Sequence, residues 1–247
     1  MKALSVTQPW ASVICSGVKD VENRNWKPAT APGKILIHAT QAKVPSYFES
    51  VADEFNSIVK NERLMGHIPD YKDMPYGSII GYVDCYQIVQ DSDSYWAQPD
   101  SYHWCLRDAH LFDEPIPDIK GVRGRLFDVD IDEDNLPLAH KVEIVEPRRE
   151  GTRLILPVNA KYFNNVKNGD KEVWFELTIM NDWLYFDEKG NELETESIEL
   201  ICQGEHLVKD VDMIVYDNYT DGEGKPVNCR SVDGSEIPWM FVAIVLK

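Results

Sequence analysis

The amino-acid sequence predicts an α+β fold divided into two domains. Two stretches have the apolar spacing typical of helices, whereas most other patterned stretches are short apolar runs bounded by turn residues, as in β-strands. The acidic segment DIDEDNLPLAH at 130–140 shows neither pattern. We therefore place the domain boundary within it, and we expect one domain at 1–135 and a β-rich, acidic domain at 136–247.

The first helix is expected directly after a short strand at 3–6. Thr7 is a candidate N-cap, and the apolar residues within 10–14 have the i, i+3, i+4 spacing of one helical face. Gly17 follows as a candidate C-cap, because glycine readily adopts the left-handed conformation that ends many helices. The sequence therefore predicts a short strand–helix unit at the start of the chain.

A second helix is expected to begin at Ser46, which forms the capping-box pattern S-x-x-E with Glu49. Apolar residues that follow at helical spacing extend this prediction to Val59. The predicted strands of the first domain are 3–6, 35–39, 77–89 and 124–130. Beyond the boundary we expect mostly strands connected by turns.

The charge of the chain is strongly acidic and unevenly distributed. The formal net charge is −17; residues 1–127 contain 13 Lys and Arg against 16 Asp and Glu, and residues 128–247 contain 12 against 26. Extended, non-specific RNA binding needs many cations that contact phosphates, so this charge balance excludes it. The nearly neutral first half is compatible with a local basic cleft for a small ligand or a single extruded base.

The remaining composition predicts a cytoplasmic protein without a metal site or a cofactor. The five cysteines are scattered and form no C-x-x-C pair, which is typical of reduced thiols, and the six histidines show no paired spacing. No apolar run approaches the roughly 18 residues of a membrane span, so we expect no membrane partner. The oligomeric state stays open.

The segment VKDVENRNWKP at 18–28 contains most of the candidate binding residues. Lys19 follows the predicted helix and is expected to be accessible to solvent. Next to Glu22 it should stay protonated, and it would then bind an anion or polarise a carbonyl group. Arg24 is a candidate for binding a phosphate or stacking on a base, and Trp26 is a candidate for stacking. The alternative is that these charges form only a surface salt bridge.

Two further residues are binding candidates with a structural alternative. Gln8 either hydrogen-bonds to a base edge or completes the first helical turn. His38 alternates with Ile35 and Ile37, and it either lines the cleft or is an interior histidine whose hydrogen bonds are satisfied. Trp10 lies on the apolar face of the first helix, so we expect it to pack in the core.

Residues 4–19 resemble residues 156–171 without gaps. Both segments combine a strand pattern, a candidate N-cap, helical spacing and a Gly-x-Lys sequence, which indicates a duplicated unit. The offset pairs Thr7 with Asn159, Trp10 with Tyr162, Glu22 with Trp174 and Arg24 with Glu176.

The first half of the chain resembles the ASCH domain family. The matching motifs are L-S-x-x-Q-P-W and G-x-K-x-x-E-x-R within 4–26, followed by GKILIHAT, GSIIGYVD and WCLRDAHLFDEPIPDIKG, and together they extend over roughly 1–130. The resemblance implies a PUA-like fold, which is a small β-barrel with flanking helices. The second half looks like a diverged second copy, and the resemblance therefore implies a second β-rich, PUA-like domain.

The same resemblance implies two alternative functions. The first is binding of RNA or of a modified nucleobase or nucleotide in a cleft formed by Gln8, Lys19, Glu22, Arg24 and Trp26, with His38 as a further ligand-binding candidate. The second is an amidohydrolase that acts on N-acylated nucleosides such as acetylcytidine, with Lys19 and Glu22 as the catalytic candidates.

That enzymatic branch of the family uses the lysine of G-x-K, a threonine three residues later and a glutamate from a later strand. Here Lys19 matches the lysine, Glu22 stands at the threonine position, and Asp84 is a candidate for the later carboxylate. A third possibility is a protein-interaction module that uses the acidic half.

Overall fold

The computed structural model describes residues 1–44, 53–178, 181–231 and 233–247. The chain forms two compact units, of which the first comprises Met1–Phe48 and Ile68–Ile144, and the second comprises Glu49–His67 and Val145–Lys247. This division differs from the predicted domains in two places. Residues 136–144 stay with the first unit, and residues 49–67 join the second.

One sheet organises the first unit. Its elements are β1 (Lys2–Val6), α1 (Trp10–Cys15), β2 (Val21–Arg24), β3 (Gly33–Ala39), β4 (Ser78–Val89), β5 (Tyr102–Ile116), β6 (Phe127–Asp128) and β7 (Ala139–His140). The strand order is β2-β5-β4-β3-β1-β6, and β7 pairs with β5. Strands β1 and β3 are parallel, and the other pairs are antiparallel.

The sheet is open, so the predicted closed β-barrel is wrong, whereas the α+β class is confirmed. The two edge strands are short, with four residues in β2 and two in β6, and they do not pair with each other in the part of the chain that the structure describes. Alternate residues of β3 pack on the two faces: Ile35 and Ile37 pack with Trp104, and Leu36 packs with Phe127.

The end of the acidic segment stays with the first unit because it continues the first sheet. Leu111 and Phe112 of β5 pair with β7, and the amino group of Met1 donates to the carbonyl oxygens of Val129 and Ile131 at 2.8 Å each. These contacts explain why the division falls at 144 rather than at the predicted 135.

Helix α1 forms where it is predicted but is capped differently. It begins at Trp10, and the side-chain Oε1 of Gln8, not Thr7, accepts the backbone N–H of Ser12 at 3.1 Å. The chain then turns at Gly17, whose φ of +90° is the left-handed conformation that favours glycine. The buried face of α1 packs on the same side of the sheet as Ile35.

The second unit contains a sheet in which five strands follow the same order as in the first. Its elements are α2 (Glu54–Met65), β8 (Arg148–Glu150), β9 (Arg153–Pro157), α3 (Ala160–Lys167), β10 (Glu172–Leu177), β11 (Ser197–Cys202), β12 (Glu205–Asn218), β13 (Asn228–Arg230), β14 (Glu236–Pro238) and β15 (Met240–Leu246). The order is β10-β15-β12-β11-β9-β8, with β9 and β11 parallel and the other neighbours antiparallel. The five strands β10-β15-β12-β11-β9 repeat the order and directions of β2-β5-β4-β3-β1. The sixth strand differs in connectivity, because β8 precedes β9 in the chain whereas β6 follows β5.

Helix α2 begins at Glu54, and the side chain of Asp53 accepts the backbone N–H of Asn56 as its N-cap. The helix ends before Gly66, which adopts a φ of +84°. The predicted capping box of Ser46 and Glu49 lies outside the described residues. Among the described residues, no helix combines the length and the apolar character needed to cross a membrane.

Candidate functional site

A cavity of about 990 Å³ opens at one end of the first sheet. Its wall is formed by the ends of the parallel strands β1 and β3, by β2, by the start of α1 and by the loop at 118–124. Because β1 and β3 are parallel, their carboxyl ends lie at the same end of the sheet, where Ser5 is paired with His38. The topology therefore gathers polar residues from distant parts of the sequence.

His38 lies at the base of this cavity and is 3% exposed. Its Nε2 is 3.0 Å from the carbonyl oxygen of Ile119, and its Nδ1 is 3.1 Å from Oγ of Ser5. A carbonyl oxygen only accepts, so Nε2 carries the proton and Nδ1 accepts from Ser5. Burial lowers the pKa of His38, although the hydrogen bond to Ile119 opposes this shift. A neutral imidazole is therefore favoured at this position.

Gly121 fits the loop at 118–124 closely against His38. A Cβ atom at this position would lie 2.3 Å from Cε1 of His38 and 2.6 Å from Oγ of Ser5. Both distances are far shorter than van der Waals contact, so a side chain would displace the loop or the histidine. The glycine thereby fixes the distance between the loop and the sheet.

A ladder of charges joins Lys19, Glu22 and Arg24. The ammonium group of Lys19 donates to the carbonyl oxygen of Val21 and to Oε2 of Glu22, the latter at 2.9 Å. Oε1 of Glu22 is 3.0 Å from Nη2 of Arg24, which also donates to the carbonyl oxygen of Ser5 at 2.7 Å. Glu22 and Arg24 line the cavity. Lys19 does not line it and donates to Glu22 from the protein interior.

Lys19 was expected to be accessible to solvent, but it is buried, with only 5% of the residue exposed. The backbone N–H of Lys19 donates to Val13 at 3.1 Å, and the next residue, Asp20, accepts the N–H of Leu106 at 2.7 Å. These bonds fold the segment after α1 onto the sheet. The lysine therefore lies inside the fold, where its ion pair with Glu22 compensates its burial.

Gln8 and Trp26 do not line the cavity. Gln8 is 3% exposed, and its Nε2 donates to the carbonyl oxygen of Pro75 at 3.0 Å while its Oε1 caps α1. The ring of Trp26 packs edge-on against Trp104 with 4.9 Å between centroids. Both side chains therefore stabilise the fold around the site.

Trp10 packs against the core as expected, and it also contributes an aromatic ring to the cavity wall. It is partly exposed and packs edge-on against Trp96 at 6.2 Å. Sequence analysis also misses Ser5, Thr40 and the loop at 118–124 as parts of the wall. For the loop, the local sequence KGVRG contains a signal, since a glycine directly follows each of its two cations.

Two polar atoms at the site lack a hydrogen-bond partner. Nε of Arg24 and Oγ1 of Thr40 are buried and bond to no atom of the described residues. Buried polar groups are normally paired, so these two atoms are exceptions. As for metals, the described residues include no group of three or more His, Cys, Asp or Glu placed to hold an ion.

Comparison with protein-family models gives a match in the first half of the chain. Residues 4–111 match the ASCH domain. The matched range runs from β1 into β5 and contains the charge ladder and His38, and the family is generally associated with RNA binding. The match ends before the loop at 118–124. A search of curated proteins gives no match to the chain.

Proposed function

We propose that the first unit binds RNA, or a nucleotide with a standard or modified base, by enclosing one base in the cavity. The observation that carries this proposal is the ladder of Glu22 and Arg24 on the cavity wall, at the G-x-K-x-x-E-x-R motif of the ASCH match. The shape, hydrogen-bonding groups and charge of the cavity each support it.

The size of the cavity fits a nucleotide. Ligand sites in proteins typically enclose roughly 300–1,000 Å³, and this one measures about 990 Å³. Trp10 adds an aromatic ring to the wall. Stacking of a base on such a ring contributes about 1–3 kcal/mol, so a single ring is enough to favour a planar ligand.

The hydrogen-bonding groups of the wall are those that a base edge requires. Glu22 accepts, Arg24 donates, and Thr40 does both. A nucleobase presents donors and acceptors side by side in one plane, so a wall that carries both is suited to it. Because Lys19 holds Glu22 from the interior, the carboxylate is fixed before a ligand arrives, which lowers the entropic cost of binding.

The charge distribution favours one base over a long RNA track. Residues 128–247 contain 12 basic residues against 26 acidic ones, and such a chain repels an extended polyanion. A single nucleotide needs only the local field of the cavity, which is screened from charges beyond about 8 Å at physiological salt.

The amidohydrolase alternative is supported less well by the same geometry. The ammonium group of Lys19 is buried against the carbonyl of Val21 and the carboxylate of Glu22, and it is not at the cavity wall. Asp84 is bound to Arg107 at 2.8 Å and does not line the cavity either. A hydrolase would need these groups beside the substrate amide and a water molecule.

We also infer that the second unit is a diverged copy of the first. The order and directions that five strands of the two sheets share support this, together with the resemblance of 4–19 to 156–171. The five free thiols support a cytoplasmic location.

The test is calorimetric titration of the protein with ribonucleosides, acetylcytidine, their monophosphates and short RNAs. Arg24→Ala should weaken binding by about tenfold or more, because a charge-assisted hydrogen bond is lost. Arg107→Ala is the matched control, since Arg107 forms an exposed ion pair outside the cavity and should leave affinity unchanged. Equal affinities of wild type and Arg24→Ala would contradict the proposal, as would the absence of binding throughout the panel. Release of acetate from acetylcytidine would favour the hydrolase.

A further inference from the structure

The loop at 118–124 adds two unpaired cations to the cavity. Lys120 and Arg123 are exposed and line the cavity, and neither forms an ion pair within the part of the chain that the structure describes. The loop lies beyond the ASCH match, which ends at residue 111. Its cations therefore need an explanation of their own.

Several other exposed cations of this acidic chain have a carboxylate partner. Examples are Lys2 with Asp128, Arg107 with Asp84, Lys141 with Asp108, Lys167 with Glu205 and Lys225 with Glu223. In a chain with 42 acidic and 25 basic residues, pairing is the expected state of a surface cation. Lys120 and Arg123 lack such a partner among the described residues and lie on the wall of the cavity.

The cavity consequently carries an excess of positive charge. Arg24, Lys120 and Arg123 line it, against the carboxylates of Glu22 and Asp118. The charge of Glu22 is already shared between Lys19 and Arg24. Among the described residues, Asp118 is therefore the one remaining carboxylate of the cavity wall that can balance the charges of Lys120 and Arg123.

The backbone on both sides of Lys120 is held in place. The carbonyl oxygen of Ile119 accepts from His38, and the N–H of Ile119 donates to the carbonyl oxygen of Gly77 at 3.1 Å. Gly121 is packed against His38 and Ser5. The loop is thus fixed to the sheet on both sides of Lys120, and binding an anion there requires little ordering of the backbone.

We propose that Lys120 and Arg123 bind the phosphate of a nucleotide whose base is enclosed next to Glu22 and Arg24. This inference rests on the proposed function and specifies its ligand as a nucleoside phosphate, free or within RNA, in preference to a nucleoside or a free base. Arginine matches phosphate oxygens with two parallel N–H groups, and lysine adds a compact charge that can follow the phosphate.

The test compares cytidine and acetylcytidine with their 3′- and 5′-monophosphates, and uses inorganic phosphate as a separate probe. In the wild type we expect one of the monophosphates to bind about tenfold or more tightly than its nucleoside, because charged hydrogen bonds are added. The double variant Lys120→Ala/Arg123→Ala should lose this gain and keep the affinity for the nucleoside. Each single variant should reduce the slope of log K against log salt by about 1.

Arg125→Ala is the matched control. Arg125 is exposed in the adjoining segment and does not line the cavity, so its substitution changes the net charge as much as each single variant does, without touching the proposed phosphate. It should leave both the phosphate gain and the salt slope unchanged. All three positions are on the surface, and circular dichroism should confirm that the variants fold.

The outcomes separate this inference from the proposed function. Equal affinity for nucleoside and monophosphate, or a gain that survives in the double variant, overturns the phosphate site and leaves nucleoside binding standing. Binding of inorganic phosphate that depends on Lys120 and Arg123, without binding of any nucleoside, supports the anion site and overturns enclosure of a base. No binding of any probe overturns both.

Discussion

The sheets of the two units share the order and directions of five strands, but the corresponding ends of these sheets have different surroundings. In the first unit, Arg24 and the segment at Thr7 border an open cavity. In the second unit the corresponding residues, Glu176 and Asn159, bind helix α2. The backbone N–H of Asn159 donates to the carbonyl oxygen of Leu64 at 2.6 Å.

Helix α2 is held across this end of the second sheet by a buried carboxylate. Glu176 accepts from Nε1 of Trp239 at 2.6 Å, from the hydroxyl of Tyr219 at 3.0 Å and from Lys60 of α2 at 3.3 Å. Asn61 of α2 exchanges two hydrogen bonds with the backbone of Glu176. In the second unit, helix α2 therefore covers the end of the sheet that borders a cavity in the first unit.

This difference shows that the same arrangement of strands can carry either an open cavity or a packed helix at this end. Arg24 lies on the wall of the cavity, whereas Glu176 binds helix α2. We therefore expect one ligand per chain, bound by the first unit. The predictions below test this contrast in order of decreasing effect.

The largest effect is expected from Glu176→Ala in the second unit. The change leaves the buried Nε1 of Trp239 and the hydroxyl of Tyr219 without their acceptor, and Lys60 without its counter-charge. Removal of one member of a buried charge cluster typically costs about 3–5 kcal/mol. Urea denaturation followed by tryptophan fluorescence should show this loss in the free energy of unfolding.

The control for this variant is Glu172→Ala on the same strand. Glu172 is exposed, and its carboxylate bonds to the exposed Trp174. Surface changes of this kind are usually within about 0.5 kcal/mol. Equal stabilities of the two variants would show that Glu176 does not hold α2 in place.

The next effect is expected from Gly121→Ala at the open site. The new Cβ would lie 2.3 Å from His38, so the loop at 118–124 or the histidine must move. Overpacking of this kind typically costs about 1–3 kcal/mol. Ligand affinity should fall as well, because the wall of the cavity is displaced. Thermal denaturation and the nucleotide titration measure the two effects.

Gly222→Ala is the matched control for this substitution. A Cβ at Gly222 meets no atom within 4 Å, and its φ is outside the left-handed region. Its stability and its affinity should therefore equal those of the wild type. If Gly121→Ala also behaves like the wild type, the loop is not packed against His38 as described.

A smaller effect is expected at the N-terminus of α2. Asp53 caps the helix, yet burial raises the pKa of its carboxyl group, which indicates that the charge itself is disfavoured there. Asp53→Ala should cost about 1 kcal/mol through loss of the cap. Asp53→Asn retains an acceptor without the charge, and it should be at least as stable as the wild type at pH 7. Denaturant midpoints compare the three proteins, and a less stable asparagine variant would contradict the assignment.

The elements nearest the start of the chain could be predicted from the sequence because their signals are local. The apolar spacing of 10–14 and the left-handed turn at Gly17 mark α1, and the apolar run at 35–39 marks β3. The open sheet could not be predicted in this way. It depends on which strands pair at the edges, and β2 pairs with β5 some 80 residues further along the chain.

The site was only partly predictable for the same reason. Glu22, Arg24 and His38 were identified from their motif or pattern, but the burial of Lys19 follows from the pairing of its neighbour Asp20 with Leu106. The position of α2 in the second unit likewise depends on a contact between Asn61 and Glu176, which are 115 residues apart in the sequence. Contacts of this separation leave no pattern in a single sequence.

The smallest effect is expected from the titration of His38 at the open site. Burial lowers its folded-state pKa below the ordinary value of 6.5, so between these two values the unfolded chain binds more protons than the folded one. The stability contributed by neutral His38 is therefore complete above pH 6.5 and is lost as the pH falls through this window. Its neighbours Ser5, Ile119 and Phe127 carry no charge that would compensate an imidazolium. Urea midpoints between pH 7.5 and 5 should fall less for His38→Gln than for the wild type; parallel curves would show that His38 does not sense pH.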